Sequence, residues 1–374
     1  MFYLTACILL SIQSIGCVEY ESEEDDEVYQ IYQKMQNIEV VQKPMFIIDD
    51  PNSSNASITG TSQNRIQAII AGGLFLLPWD NLKGKPIICE TYLDEFAYIS
   101  DDRYANLLAL RNDLYFTIRK LSNGQEIKRW MLENAGIETY IANSRNGKYV
   151  TVFYDDDKTT HERTDKGVFF YGREYLYKYT ASTNEFSKIF TIAWKDNTPN
   201  PNKIAVSECG KYIAAVGLND GAWILVVNAE KKAKLWEKTD KTYSYINFND
   251  VCFSPDGEHI FVAANPGVVV YETKTGKVVK QWLTSARCIG IEVSPNNRLV
   301  AAGTGPGGEV YILDNKTDKY LLRLNTGQYT NYGLAFSPDS SMLATSGVRK
   351  TGIKIWQMPD LPKEVVNEPN KIKK

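Results

Sequence analysis

Residues 251–282 show the chain's pattern most clearly. Val251-Cys252-Phe253 runs into the turn Ser254-Pro255-Asp256-Gly257. Ile260–Ala264 follows, then Val268–Tyr271, the pair Thr275-Gly276 and Val278–Trp282. Four short runs rich in β-branched and aromatic residues, separated by Pro, Asn, Asp and Gly, predict four antiparallel strands. The punctuation leaves no room for a helix of ordinary length. The turn recurs as Ser294-Pro295-Asn296-Asn297 and Ser337-Pro338-Asp339-Ser340. A period of about 40 residues is that of a four-stranded propeller blade.

The same template continues toward the N-terminus in weaker form. Ser207-Glu208-Cys209-Gly210, Ser144-Arg145-Asn146-Gly147, Ser100-Asp101-Asp102-Arg103 and Ser62-Gln63-Asn64-Arg65 each precede an apolar run, which brings the turns to seven. Spacing breaks between the third and fourth, where the chain carries an extra stretch around Asp155–Gly167. The last unit, ending in Ile353-Lys354-Ile355-Trp356, lacks a fourth strand, and Met45-Phe46-Ile47-Ile48 has the length and composition to supply it. Such pairing removes an exposed apolar edge. The expected fold is all-β: a seven-bladed β-propeller of four-stranded antiparallel blades, the last closed by an N-terminal strand. The expected divisions are a signal-like segment (1–16), an acidic tether (17–40), the propeller (41–358) and a polar tail (359–374).

The last three units resemble the WD-repeat family, through the Ser-Pro-Asp-Gly turn, the run Leu343-Ala344-Thr345-Ser346-Gly347 and Ile353–Trp356 in the third-strand position. The resemblance spans roughly residues 45–358 and is specific from about 246 onward. It implies a rigid propeller that binds other proteins. The family's Gly-His pair is missing, Gln357 stands where an Asp would follow Trp356, and two His in the chain cannot repeat the family's buried Asp-His-Ser-Trp network in every blade. Apolar packing is therefore expected to carry the fold. Asn123-Gly124 to Trp130 and Thr275-Gly276 to Trp282 also resemble the Gly-x-x-x-x-x-Trp pattern of quinoprotein-type and outer-membrane assembly propellers, which implies Trp docking between blades.

Composition narrows the chemistry. The net charge of −3 on 374 residues offers no clustered cations for nucleic acid, which is not an expected partner. Cys89, Cys209, Cys252 and Cys288 lack the close pairing of metal sites, and Cys252 and Cys288 are expected to be small buried thiols. His161 and His259 are the two imidazoles. No nucleophile elbow, phosphate loop or His-x-x-x-His pair is present, so the expectation is a non-enzyme with no cofactor and no metal. The stretch Asp155–Asp165 holds five carboxylates but lacks the alternate-position pattern of a calcium loop, and a solvated hairpin tip is expected there.

Met1–Gly16 carries no charged residue and is apolar over a length that suits a secretory signal rather than a membrane span. Ser14-Ile15-Gly16-Cys17 resembles a bacterial lipoprotein cleavage box, which implies lipid on Cys17, export and a membrane contact made through this anchor alone; the alternative is a cytoplasmic propeller. The acidic run Glu21–Glu27 reads as a solvated tether.

Strand order assigns loops to faces. Connections between blades and those between second and third strands share one face. It is expected to present Tyr243, Tyr245, Arg287, Tyr329, Tyr332, Asp113 and Arg349 to a protein partner, since Tyr and Arg dominate contact hot spots. The expected function is a non-catalytic interaction platform, monomeric as a propeller. The alternative is an extracytoplasmic enzyme or small-ligand binder that uses the central channel.

Overall fold

The structure, a computed structural model, describes residues 38–361 except 42, 49–55, 63–64, 71–72, 83–86, 90–95, 101, 111–112, 157–159, 165–166, 196–199, 241–247, 330 and 348–351. Two short strands come first, β1 (Glu39–Val41) and β2 (Phe46–Ile48). Blade 1 is β3 (Ala56–Ser62), β4 (Arg65–Ile70), β5 (Gly73–Pro78) and β6 (Ile87–Cys89). Blade 2 is β7 (Phe96–Ser100), β8 (Arg103–Leu110), β9 (Asp113–Lys120) and β10 (Glu126–Leu132). Blade 3 holds β11 (Ala135–Asn143), β12 (Tyr149–Asp156), β13 (Thr160–Thr164), β14 (Gly167–Thr180) and β15 (Glu185–Lys195). Blade 4 is β16 (Asn200–Val206), β17 (Tyr212–Leu218), β18 (Ala222–Asn228) and β19 (Ala233–Asp240). Blade 5 is β20 (Asp250–Phe253), β21 (His259–Ala264), β22 (Gly267–Glu272) and β23 (Val278–Trp282). Blade 6 is β24 (Cys288–Val293), β25 (Leu299–Thr304), β26 (Glu309–Asp314) and β27 (Tyr320–Asn325). Blade 7 is β28 (Asn331–Phe336), β29 (Met342–Gly347) and β30 (Ile353–Gln357).

Each blade is a sheet of sequential antiparallel neighbours. First strands of successive blades touch in chain order, and β28 meets β3, so seven blades close a ring with the first strands around its axis. The central strands explain why the apolar runs are nearly continuous. Odd positions of β17 and β18 (Ile213, Ala215, Trp223, Leu225) pack toward blade 3, against Phe153 and Leu176. Even positions (Ala214, Val216, Ile224, Val226) pack toward blade 5, against Val251 and Ile260. Side chains alternate between sheet faces, and both faces of a blade are covered by a neighbour. The core is thus a series of slabs between blades.

One device ends the inner strands of blades 3, 5, 6 and 7. In blade 5 the Ser254 hydroxyl, fully buried, donates to Asp256 Oδ1 at 2.5 Å and accepts from His259 N at 3.0 Å, while Asp256 accepts from Glu258 N at 2.9 Å. Ser294 with Asn296, Ser337 with Asp339 and Ser144 with Asn146 repeat it. The following residue takes a positive φ in each case, at Gly257, Asn297, Ser340 and Gly147. Blade 4 departs, with the Cys209 thiol in the Asx position, 3.4 Å from Ser207 Oγ.

The ring closes as the sequence implies. β2 pairs antiparallel with β30, Phe46 opposite Ile355, and Met45 N donates to Ile355 O at 2.8 Å. The preceding strand β1 adds a feature with no counterpart in the sequence reading. It lies parallel to β27 as a fifth strand of blade 6, Glu39 opposite Leu322, so Glu39 and Val40 belong to the ring's outer edge. The N-terminal segment therefore joins blades 6 and 7.

Blade 3 corrects the expected hairpin tip. β13 forms inside the Asp155–Asp165 stretch and pairs with the first half of β14, Thr160 opposite Tyr171 and Thr164 opposite Gly167. With β12 pairing the second half of β14, the second and third strands become one long bulged hairpin. β14 has 14 residues where the third strand of blade 5 has 6. At about 3.3 Å per residue the excess carries an arm some 25 Å beyond the disc.

Removing the N-terminal strands leaves two outer edges unpaired. A chain starting at Asn55 should melt lower, and aggregate more, than one starting at Ile38, by about 2–4 °C for each kcal/mol of edge pairing lost. Equal melting temperatures would refute closure by β2.

Candidate interaction face and central channel

The loop residues singled out from sequence divide three ways. Tyr243, Tyr245, Arg349 and Cys17 lie outside the described residues. Arg287 and Tyr329 sit in the connections leaving blades 5 and 6, hence on one face of the ring, and both are exposed. Arg287 Nε donates to Asn249 Oδ1 at 3.1 Å, and Asn249 Nδ2 donates to Cys288 O at 2.7 Å, so the guanidinium is braced on the neighbouring blade. Tyr329 is 47% exposed. Two placements correct the loop assignment. Tyr332 lies inside β28, beside the irregularity between Asn331 and Gly333, and Asp113 opens β9 opposite Leu110. A two-residue hairpin and an early strand start shorten these loops. Asp113 is exposed and takes a hydrogen bond from Tyr115 OH at 3.4 Å.

The arm of blade 3 projects from the same face, because it extends the connection between second and third strands. Thr160, His161, Glu162 and Arg163 are exposed along β13. Tyr171 OH donates to Glu162 Oε2 at 2.9 Å across the pair, which stiffens the arm.

The central channel contains charges that the turn-by-turn reading missed. Arg145 occupies the position where the three C-terminal turns carry Pro, and its side chain extends away from blade 3. Nη2 donates to Glu292 Oε1 at 3.0 Å and to Val293 O at 2.6 Å, and Nη1 to Glu208 Oε1 at 3.4 Å. Blades 3 and 6 stand on opposite sides of a seven-membered ring, so this guanidinium spans the axis at the inner-turn end. Burial raises the Glu292 carboxyl above its ordinary range, and Arg145 opposes that shift by charge and hydrogen bond. The signal was present in the sequence as Glu292, a carboxylate inside the apolar run Cys288–Val293.

Nearer the other end, Asp250 opens β20. Its Oδ2 accepts from Ile291 N at 3.0 Å, satisfying a backbone donor of the next inner strand, and Oδ1 accepts from Val251 N at 2.9 Å. Burial pushes its pKa up to about 6, against the attraction of Lys203 and these two N–H bonds. Cys288 is buried, Cys252 is half-buried, and burial lifts both thiols far above their ordinary range. Cys209, in contrast, is exposed in its turn. All three are free thiols. Among the described residues no group of three or more His, Cys, Asp or Glu is placed to hold a metal ion, and no helix is long and apolar enough to cross a membrane.

Contacts between blades bear on the two resemblances. Trp356 Nε1 donates to Thr345 Oγ1 at 3.0 Å, and Gln328 Nε2 donates to Gly352 O at 3.0 Å, so blade 7 keeps a buried Trp–Thr pair with Gln328 beside it. Trp130 packs on Tyr179 and Phe186 of blade 3 with ring centroids 5.8 and 5.5 Å apart. Trp236 of blade 4 covers Gly276 of blade 5, where an added Cβ would stand 2.7 Å from the ring. Tryptophans do dock between blades, at Trp130 and Trp282 as the pattern implies and, outside it, at Trp236.

This architecture is that of solved propellers. The fold is similar to a chain in a crystal structure of a mitotic checkpoint complex, at TM-score 0.63 and 12% identity over 92% of this chain and 97% of that one. It is also similar to a chain of Kuenenia stuttgartiensis hydrazine synthase, at TM-score 0.59 and 14% identity over 85% and 99%. No protein-family model and no curated protein matches the sequence. At such identities the likeness is one of fold, a β-propeller.

The Asp250 shift gives a pH test. A carboxyl whose folded pKa is raised binds more protons folded than unfolded, so its ionisation costs stability as pH rises from about 4 to about 6. The stability of Asp250→Asn relative to wild type should therefore rise by about 1–2 kcal/mol between pH 3.5 and pH 7.5, on top of a constant cost for the one backbone N–H that the amide nitrogen cannot accept. Thermal melts at both pH values check this, and a constant gap would exclude a raised pKa.

Proposed function

We propose that the protein is a non-catalytic platform for a protein partner. The partner is met on the face formed by the connections between blades and by the blade 3 arm. The observation that carries this reading is the arm itself. One blade in seven extends a braced hairpin from the disc, on the face where Arg287 and Tyr329 are exposed. Protruding loops on a rigid scaffold are where binding residues concentrate, and a preorganised surface loses little ordering entropy on association. The channel supports the same reading at one end, where Arg145 is consumed by two carboxylates and a carbonyl. A channel enzyme or small-ligand binder is the second reading. It is favoured by Asp250, whose pKa of about 6 suits proton transfer near neutrality.

Replacing Arg287 and Tyr329 by Ala, or His161 and Arg163 by Ala, should leave the melting temperature unchanged. It should weaken capture of the same partner by about 1–3 kcal/mol per pair. Gly276→Ala, on the opposite face, should do the reverse. Its φ of +69° and the Trp236 ring make the substitution cost at least about 1 kcal/mol of stability without touching the partner surface. Undiminished capture by both double variants would sink the platform face. Substrate turnover abolished by Asp250→Asn would establish the channel reading in its place.

The platform reading extends to an exported protein held at a membrane surface through lipid on Cys17, a step that rests on the sequence. Cys17→Ala should move the protein from the membrane fraction to a soluble or unprocessed form, since the acyl chains supply the anchoring apolar area. Recovery of the wild-type chain from the cytosol with Met1 intact would rule export out.

A further inference from the structure

The strand β1 fixes where the preceding chain leaves the ring. It runs parallel to β27 with Glu39 opposite Leu322, and β27 begins directly after the turn 315–319. Ile38 packs on the apolar cluster between blades 5 and 6, which includes Phe261, Trp282 and Tyr311. The chain before residue 38 therefore departs at the seam of these blades, on the face of the outer hairpin turns, opposite the arm.

That rim is basic. Lys231 and Lys232 stand on the outer turn of blade 4, Lys274 and Lys277 on that of blade 5, and Lys316 and Lys319 on that of blade 6, all exposed. The carboxylates of the same turns are engaged elsewhere. Asp318 pairs with Lys280 at 2.8 Å, Asp314 with Arg298 at 2.6 Å and Glu230 with Lys211 at 3.5 Å, while Glu272 takes the Thr275 hydroxyl. Asp256, bonded to Ser254 and Asn297, and Glu258 lie further in, on the inner turn of blade 5. Twelve residues before Glu39 ends the run Glu21-Ser22-Glu23-Glu24-Asp25-Asp26-Glu27, six carboxylates in seven positions. Twelve residues of extended chain reach about 40 Å, more than is needed to return to turns beside the exit point.

We propose that Glu21–Glu27 docks on the lysine rim made by the outer turns of blades 4, 5 and 6. Exposed ion pairs are individually weak. A segment tethered a dozen residues away nevertheless meets the rim at an effective concentration of about millimolar, and its charges act together. The contact is salt-sensitive, because exposed charges are screened over about 8 Å at physiological ionic strength. Docking turns the N-terminal attachment toward the outer-turn face and leaves the arm face outward. The proposal holds whatever that opposite face binds.

The test uses the full chain and a zero-length carbodiimide, which joins carboxylates to amines only in contact, with products mapped by mass spectrometry. At low ionic strength the run 21–27 should couple within one molecule to Lys231, Lys232, Lys274, Lys277, Lys316 or Lys319, with yield falling about tenfold in 1 M salt. A quadruple variant, Lys274→Glu, Lys277→Glu, Lys316→Glu and Lys319→Glu, should lose most of the coupling, with Lys231 and Lys232 the remaining partners, while its melting curve shows it folded. Should that variant unfold, substituting the six carboxylates of the run by amides must restore amine reactivity of the rim lysines to that of Lys120 and Lys188. Coupling spread over those two lysines as readily as over the rim would overturn the proposal. So would products that join two molecules, which make a second copy's acidic run the occupant.

Discussion

Seven inner strands must reverse direction within a small circle around one axis, and in blades 3 to 7 a buried serine hydroxyl is what lets them. Where each of these five strands ends, the hydroxyl takes the place of a backbone partner. It accepts the N–H five residues on, as Tyr149, His259, Leu299 and Met342 show at 2.8–3.0 Å, and outside blade 4 donates to an Asx side chain two residues on. Buried donors left unmade would cost about 1–3 kcal/mol each. The turn also carries the contacts between neighbours. Asn146 Nδ2 donates to Glu208 O at 2.8 Å, and Asn297 Nδ2 to Asp256 Oδ2 at 2.9 Å. Gly147 lies so close to blade 2 that a Cβ would meet Ile99 O at 2.1 Å.

From that constraint follows the division of the molecule into two unlike faces. The face of inner and outer turns is crowded with interblade bonds and a lysine-rich rim. It also receives the N-terminal segment, whose β1 and β2 hold the edges of blades 6 and 7. Lysines of outer strands reach into the next blade there, as Lys238 Nζ donates to Gly276 O at 2.5 Å. The opposite face is free to vary because its loops do not close the inner ring, and blade 3 uses that freedom for its arm. Between the faces, Arg145 joins blade 3 to blades 4 and 6 at the turn end, and toward the other end Asp250 ties blade 5 to blade 6.

Much of this was legible in the sequence. Blade number, strand order, the closing strand Met45–Ile48 and the face to which each loop belongs all follow from turn spacing and apolar runs, because these are local patterns with a repeat of about 40 residues. The arm was half visible. The extra stretch was marked, but its charges read as a solvated tip, whereas β14 offers Gly167–Tyr171 as a partner and pairing satisfies the backbone of β13. Tyr332 and Asp113 were placed in loops because strand ends are the least determined part of a local pattern.

Sequence alone determined the architecture, since each blade is specified by contiguous residues whose alternation and turns state their own geometry. What the tertiary structure decided is which distant residues meet. Arg145 and Glu292 are 147 positions apart and share an ion pair because ring closure sets blade 3 across from blade 6. β1 lies against β27 although nothing in Glu39–Val41 marks it for blade 6 rather than blade 7. Asp250 acquires its raised pKa only when the ring removes it from water. Periodicity encodes the unit, and closure, which no single unit contains, assigns the neighbours.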